Sequence, residues 1–293
     1  MIDFGQSVRN LVRAALVEDI GPGDITSQAC LVPEQTKAVI IAKSTGVLSG
    51  LKPALLAFEA VDSANKVRPL INDGDSFKVG DTIIEIDGFN QTLLVSERVA
   101  LNFLAHLSGV ATLTARFVEA VSGTECRILD TRKTTPGWRF LEKEAVAHGG
   151  GTNHRHGLYD MVLIKDNHIT AAGSIEKAVV RTREFLAAPD FGVRFGRDGQ
   201  QVEIEVEVSS TAQLEEAIAV SVKRLLLDNQ TPDQLRAMVK RARTLDKDIS
   251  LEASGNITLD NVAEIAATGV DYVSIGTLTH SAPAVDLSMR MVE

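Results

Sequence analysis

The sequence predicts an α/β chain whose second half is a barrel-like parallel sheet. Three observations carry this. Strand-like and helix-like stretches alternate after Gly123, which implies parallel strands with helices outside. Nearly every candidate strand ends in a reactive or anion-binding residue: Asp130, Lys165, Glu207, Asp228, Glu252 and Gly276. Such barrels gather functional residues at the C-terminal ends of their strands. Finally, Val202–Val208 alternates apolar residues with Glu203, Glu205 and Glu207. One face seeks the core, and the other carries carboxylates into the barrel mouth or lumen, where they need cations or a metal. With Asp228 ending the next strand, a shared divalent ion explains them better than a solvated edge.

The bulk numbers narrow the class. Of 293 residues, 44% are apolar but only 4% aromatic, so the core is mostly aliphatic. A net charge of −9 argues against a general nucleic-acid coat. Cys30 and Cys126 make neither a disulfide framework nor a zinc cluster, so a reducing, cytoplasmic setting is expected. The N-terminus reads as an amphipathic helix, not a signal peptide, and no apolar run approaches a membrane span.

Taken in order, helical spacing covers Val8–Val17 and stops before Gly21-Pro22-Gly23. Asp24-Ile25-Thr26 reads as a turn feeding a strand. Lys37–Lys43 is strand-like and Pro53–Val61 helical. Short β runs follow to Gly88, with turns at Gly74 and Gly80 and a strand at Thr82–Ile86. Thr92–Leu107 is a helix that Ser108-Gly109 should break, with a second helix from about Ala111 to Val121. A domain boundary at that break gives residues 1–110 and 111–281. Barrel strands are expected at 127–130, 161–165, 202–208, 224–228, 249–252 and 272–275. Helices are expected at 138–148, 174–186, 211–220, 232–244 and 258–268. Asp190–Gln201 reads as a surface excursion. Residues 282–293 hold a last helix-like piece, Pro283–Met291, packing back on the first domain.

Two stretches carry most of the chemistry. Gly149–Ile169 reads GGGTNHRHGLYDMVLIKDNHI, and four of the six histidines fall in or beside it. Its glycines let the chain turn tightly, so that His154 and Arg155 face an anion. The second, ILDTRKTTPGW, supplies Arg132 and Lys133. A guanidinium grips a carboxylate with two prongs, while an ammonium acts as a point charge. A basic island in an acidic protein suits a small anion better than a polymer. Ser254-Gly255-Asn256, ahead of a helix near Thr258, and Gly276 with His280 read as two phosphate cradles. A rival reading builds a metal site from His154 and His156 with Lys165, His168 and Asp228. Arginine is an awkward neighbour for a metal, so it ranks below the anion pocket. His106 reads as a packed or capping histidine. Trp138 reads as core or helix-start packing at least as readily as pocket lining.

The segments DTRKTTPG, GGGTNHRHGLYDMVLIKDNHI, EVEV, LLLDN, LEASGNI and SIGTLTHSAP, with EDIGPGDIT and SERVALNFLAHLSG before them, resemble the quinolinate phosphoribosyltransferase family. The resemblance covers essentially the whole chain in order. It implies an N-terminal α/β sandwich domain plus an incomplete (β/α) TIM-like barrel, assembled at least as a homodimer. It implies phosphoribosyl transfer from phosphoribosyl pyrophosphate to quinolinate with decarboxylation, in NAD biosynthesis. By motif, Arg132, Lys133, His154, Arg155 and Lys165 would hold quinolinate, and Arg98 would reach the neighbouring subunit's site. Glu207 and Asp228 would serve the ribose and a Mg2+ ion, directly or through the substrate. Lys133, Lys165, Glu207 and Asp228 would be catalytic. Ser254, Gly255, Asn256, Gly276 and His280 would form the phosphate end. Val99, Glu144 and His156 depart from the pattern, where threonine, an aromatic and leucine are usual. No matched charged residue is lost.

Overall fold

The strands run β1 Gln35–Ala42, β2 Gly46–Val47, β3 Lys66–Pro69, β4 Ser76–Phe77, β5 Thr82–Phe89, β6 Arg127–Leu129, β7 Val162–Ile164, β8 Ile204–Val208, β9 Arg224–Asp228, β10 Ser250–Ser254, β11 Tyr272–Ser274 and β12 Leu287–Val292. They come from a computed structural model that describes residues 4–292. The chain forms two compact units. One holds the residues up to Ala115, Thr134–Gly151 and the chain from Thr277; the other holds Arg116–Lys133 and Thr152–Gly276.

The first unit is built on an antiparallel sheet in the order β12-β1-β5-β3, with β2 paired to β4. Alternation in β1 sends Ala38, Ile40 and Ala42 into the core. The helix Phe4–Ile20 buries Val8, Val12 and Leu16, one turn apart, and packs on the helix Leu51–Val61, which buries Ala54, Ala57 and Phe58. Trp138 is half-buried, and its ring stacks on Phe103 at 4.6 Å. His106 Nε2 meets the fully buried Glu142 at 2.8 Å, and Glu142 Oε2 also accepts the Thr135 N–H.

Several expectations are corrected here. The break at Ser108-Gly109 is absent, and one helix runs Asn90–Ala120. Those small residues mark close approach. A Cβ on Gly109 would stand 2.3 Å from the Pro283 carbonyl oxygen. Ser108 Oγ accepts from the Ser49 N–H and donates to the Ser49 carbonyl. Asp24 does not begin a turn into a strand; it caps the helix Ile25–Cys30 by accepting the Thr26 and Ser27 N–H groups. The helix-like piece Pro283–Met291 is instead β12, which completes the sheet beside β1. Its alternating Leu287, Met289 and Met291 suit a strand as well as a helix, and pairing decides.

The second unit is a parallel sheet in the order β6-β11-β10-β9-β8-β7. β6 and β7 stay unjoined at its ends, so the strands form an incomplete barrel. Leu225, Leu227, Leu251 and Val273 are fully buried along its centre. The helices Ile175–Leu186, Thr211–Ala219 and Pro232–Leu245 start at hydroxyl caps, Ser174, Ser210 and Thr231. The excursion at Asp190–Gln201 contains a short helix, Phe191–Phe195, whose rings stack at 4.7 Å.

Candidate active site

The strand ends converge on one cavity of the second unit. Thr131, Arg132 and Lys133 follow β6, Lys165 follows β7, Glu207 is the last residue but one of β8, and Asp228 and Ser254 end β9 and β10; all line it, with His154, Arg155, Glu252 and Ser274. Four cations therefore share one space. Burial and the nearby Arg132 guanidinium lower the Arg155 pKa from its ordinary value. Crowded, partly desolvated cations of this kind gain most when an anion enters.

The acidic side of the cavity is ordered by its neighbours. Lys165 Nζ reaches Glu207 Oε2 at 3.0 Å. Asn229 Nδ2 donates to Asp228 Oδ2 at 2.8 Å. Asn229 adopts φ 53°, a left-handed conformation that asparagine tolerates better than most side chains. The loop carrying Arg155 is pinned at both ends. The Arg155 guanidinium donates to the Met161 carbonyl at 3.1 Å, and Asp160 accepts the N–H groups of His156 and Gly157.

Beneath these groups lies a network that sequence reasoning missed. Glu205 and Glu252 are fully buried, on β8 and β10. Arg224, register-paired with Glu205 on β9, joins them: Nε to Glu205 Oε1 at 3.1 Å and Nη2 to Glu252 Oε2 at 2.8 Å. Its guanidinium also lies 4.8 Å from the Tyr272 ring. Burial alone would lower the Arg224 pKa, but the carboxylates reverse it and raise it. The buried carboxylate of the alternating strand thus takes an arginine. The available signal was an arginine opening the otherwise apolar run RLLLD.

His154 belongs to this network as well as to the cavity. Its Nε2 lies 3.0 Å from Glu205 Oε2, its Nδ1 accepts the Arg155 N–H at 2.7 Å, and its own N–H donates to buried Asp130 at 2.9 Å. The His-x-His metal reading fails on geometry. His154 turns to Glu205, His156 lies 3.7 Å from Asp160, and His168 Nδ1 accepts the Lys165 N–H.

The remaining expected residues are placed less centrally. Gly255, Asn256 and Gly276 belong to the second unit but not to the cavity lining, whereas Arg98 and His280 belong to the first unit. Arg98 is exposed on the long helix. The helix expected from Thr258 starts only at Val262, and the one holding His280 spans Thr277–His280. Thr258 and Asn256 are instead tied to Asn261 in a turn, so no helix N-terminus stands at Gly255. Gly149 and Gly151 are packing glycines: a Cβ on Gly149 would stand 2.3 Å from the Ala111 carbonyl oxygen. The tight turn falls on Gly150, at φ 83°.

An incomplete barrel whose mouth is lined by four cations and by carboxylates defines a barrel enzyme for anionic substrates. Comparison with known proteins narrows this. The family profiles of quinolinate phosphoribosyl transferase match residues 24–108 (N-terminal domain) and 110–290 (C-terminal domain). The chain is 42% identical over 284 residues to the probable nicotinate-nucleotide pyrophosphorylase (carboxylating) of Bacillus subtilis, covering 96% of this chain and 92% of that one. It is 40% identical to the nicotinate-nucleotide pyrophosphorylase (carboxylating) of Mycobacterium leprae, over 97% of each. The structure of the nicotinate-nucleotide pyrophosphorylase from Francisella tularensis superposes with a TM-score of 0.91 at 36% identity, covering 98% of this chain and 97% of that one. The chain belongs to the quinolinate phosphoribosyl transferase family.

Proposed function

We propose that this protein transfers the phosphoribosyl group of 5-phosphoribosyl 1-pyrophosphate to quinolinate, with loss of CO2, giving nicotinate mononucleotide and pyrophosphate. The step belongs to de novo NAD synthesis. The observation that carries this reading is the cavity itself. Arg132, Lys133, Arg155 and Lys165 share one space, with Glu207 and Asp228 on its acidic side. The names of the similar proteins point the same way.

The residues suit each stage. The four cations, backed by His154, grip the two adjacent carboxylates of the pyridine. Lys165 exchanges Glu207 for a substrate carboxylate, which leaves Glu207 with Asp228 to hold the ribose. The C1–O bond to pyrophosphate breaks with positive charge developing on the sugar, next to those carboxylates. The pyridine nitrogen then bonds to C1. The ring cation so formed accepts the electron pair of the breaking C–C bond as CO2 leaves, and the ring carbon takes up a proton. The protein contributes orientation and electrostatics, and no covalent nucleophile is needed.

Glu207 and Asp228 also suit Mg2+, a hard cation taken by one or two carboxylates together with substrate phosphates. When bound, it supplies charge neutralisation at the leaving pyrophosphate. We read the protein as a homodimer in which exposed Arg98 serves the partner's site. The deciding assay combines quinolinate, phosphoribosyl pyrophosphate and Mg2+, and measures CO2 and nicotinate mononucleotide, with nicotinate as the control acceptor. Absence of both products, or equal use of nicotinate, would overturn the reading.

A further inference from the structure

We propose that Asn229 is a positioning residue for the ribose end of the active site: its carboxamide fixes the orientation of the Asp228 carboxylate, and the loop after β10 holds that carboxamide in place. Asp228 ends β9, lines the cavity and stands level with Ser254 of β10 in the parallel register. Successive side chains of extended backbone point to opposite faces, so two neighbours meet only where the chain leaves the strand conformation. Asn229 does so, at φ 53°. Its side chain turns back, and Nδ2 donates to Asp228 Oδ2 at 2.8 Å.

Three further contacts lock the carboxamide. The Asn229 N–H donates to the Ser254 carbonyl at 2.8 Å, which ties the turn to β10. Asn256 Nδ2 donates to Asn229 Oδ1 at 3.3 Å, and Asn261 Nδ2 in turn donates to the Asn256 carbonyl at 3.0 Å. Gly255 packs so closely that a Cβ there would stand 2.1 Å from Asn229 Oδ1. The partners also fix which way round the amide lies. An ionised carboxylate only accepts, so Asn229 Nδ2 must face Asp228, which leaves Oδ1 to accept from Asn256. Asn256 is itself left-handed, at φ 51°. Among the described residues only three that are not glycine have positive φ, and two of them meet in this contact. Strain of that kind gathers where a site needs a fixed geometry. The Asp228 backbone has a separate anchor, since Gln230 Nε2 donates to its carbonyl at 2.7 Å. The Asn229 carboxamide therefore governs the carboxylate alone. One Asp228 oxygen is committed to it, and the other is left for the substrate.

The proposal rests on the reading of Asp228 as the ribose carboxylate, so its test includes a measurement that needs no turnover. Asn229→Gly keeps the positive φ, removes the carboxamide and, at an exposed position, leaves the core intact. Hydrogen-bond partners behind a site carboxylate are typically worth about 10–100-fold. Calorimetric titration with phosphoribosyl pyrophosphate and Mg2+ should show binding about tenfold or more weaker in Asn229→Gly. kcat/KM for phosphoribosyl pyrophosphate should fall by a similar factor, with KM for quinolinate little changed and Tm near wild type. A general loosening of the unit would instead impair both substrates alike. Asn256→Gly tests the relay. It should give a smaller loss in the same direction, and no further loss when combined with Asn229→Gly. Wild-type affinity and kcat/KM for phosphoribosyl pyrophosphate in Asn229→Gly, or equal losses for both substrates, would overturn the proposal. Losses that add in the double variant would overturn the hold of the loop on Asn229. Weakened binding of phosphoribosyl pyrophosphate in Asn229→Gly, with no quinolinate turnover in the wild type, would sink the functional reading and leave the positioning role standing.

Discussion

A guanidinium held between two buried carboxylates is expensive to assemble and more expensive to break. Arg224 is in that position, with its side chain only 12% exposed and Glu205 and Glu252 wholly enclosed. Arg224→Met keeps much of the volume but strands both carboxylates. It should cost about 3–5 kcal/mol, read as a lowered Tm at neutral pH. Because stranded carboxylates protonate, part of the loss should return as the pH falls towards 5, a reversal that simple loss of packing would not give. The cavity cations differ in kind. Arg132→Ala or Lys165→Ala removes one partner from an anion pocket, a loss of about 2–5 kcal/mol of binding. Turnover should drop by roughly two to three orders of magnitude. The circular dichroism spectrum and Tm should stay near wild type. Normal activity in either variant would remove that residue from the pocket.

At the scale of elements, the long helix Asn90–Ala120 shows where sequence reading succeeds and where it stops. Its apolar spacing was legible from Thr92 onward. The small pair Ser108-Gly109 reads as a break because glycine disfavours helix interiors. Its reason lies far away in sequence, in the chain at Pro283 that presses on Gly109. Gly109→Ala would improve local helix propensity yet set a methyl 2.3 Å from a backbone oxygen. We expect it to destabilise by about 1–3 kcal/mol, measured by urea unfolding. A stabilised variant would refute the close-approach account. The barrel strands were legible because parallel buried strands read as short apolar runs with a functional residue at the end. The pairing of Glu205 with Arg224 was not, since register between strands is not written in either strand alone. The same limit hid the surroundings of Glu252, which come from the loop carrying His154 and from the neighbouring strands. Helix propensity overran at 258–261 and misled at 283–291, where a side-chain turn and edge pairing took over.

At the scale of the whole molecule, the acidic chain concentrates cations in one cavity, and the proposed reading needs one more from elsewhere. Arg98 is exposed on the long helix and is not part of the lining. If each active site of a homodimer borrows Arg98 from its neighbour, defects at Arg98 and Arg132 lie in different sites when they sit on different chains. An Arg98→Ala homodimer has two sites lacking the borrowed cation. An Arg132→Ala homodimer has two sites lacking the resident one. In the hybrid, one site collects both lesions and the other collects none. Mixing the two inactive variants should therefore restore activity. With random exchange of equal amounts, about half the dimers are hybrids with one intact site each, so recovery approaches about a quarter of wild type. Subunit exchange is confirmed separately with tagged chains and native mass spectrometry. Exchange without recovered turnover would show that Arg98 acts within its own chain or not at all, and the shared site would have to be abandoned.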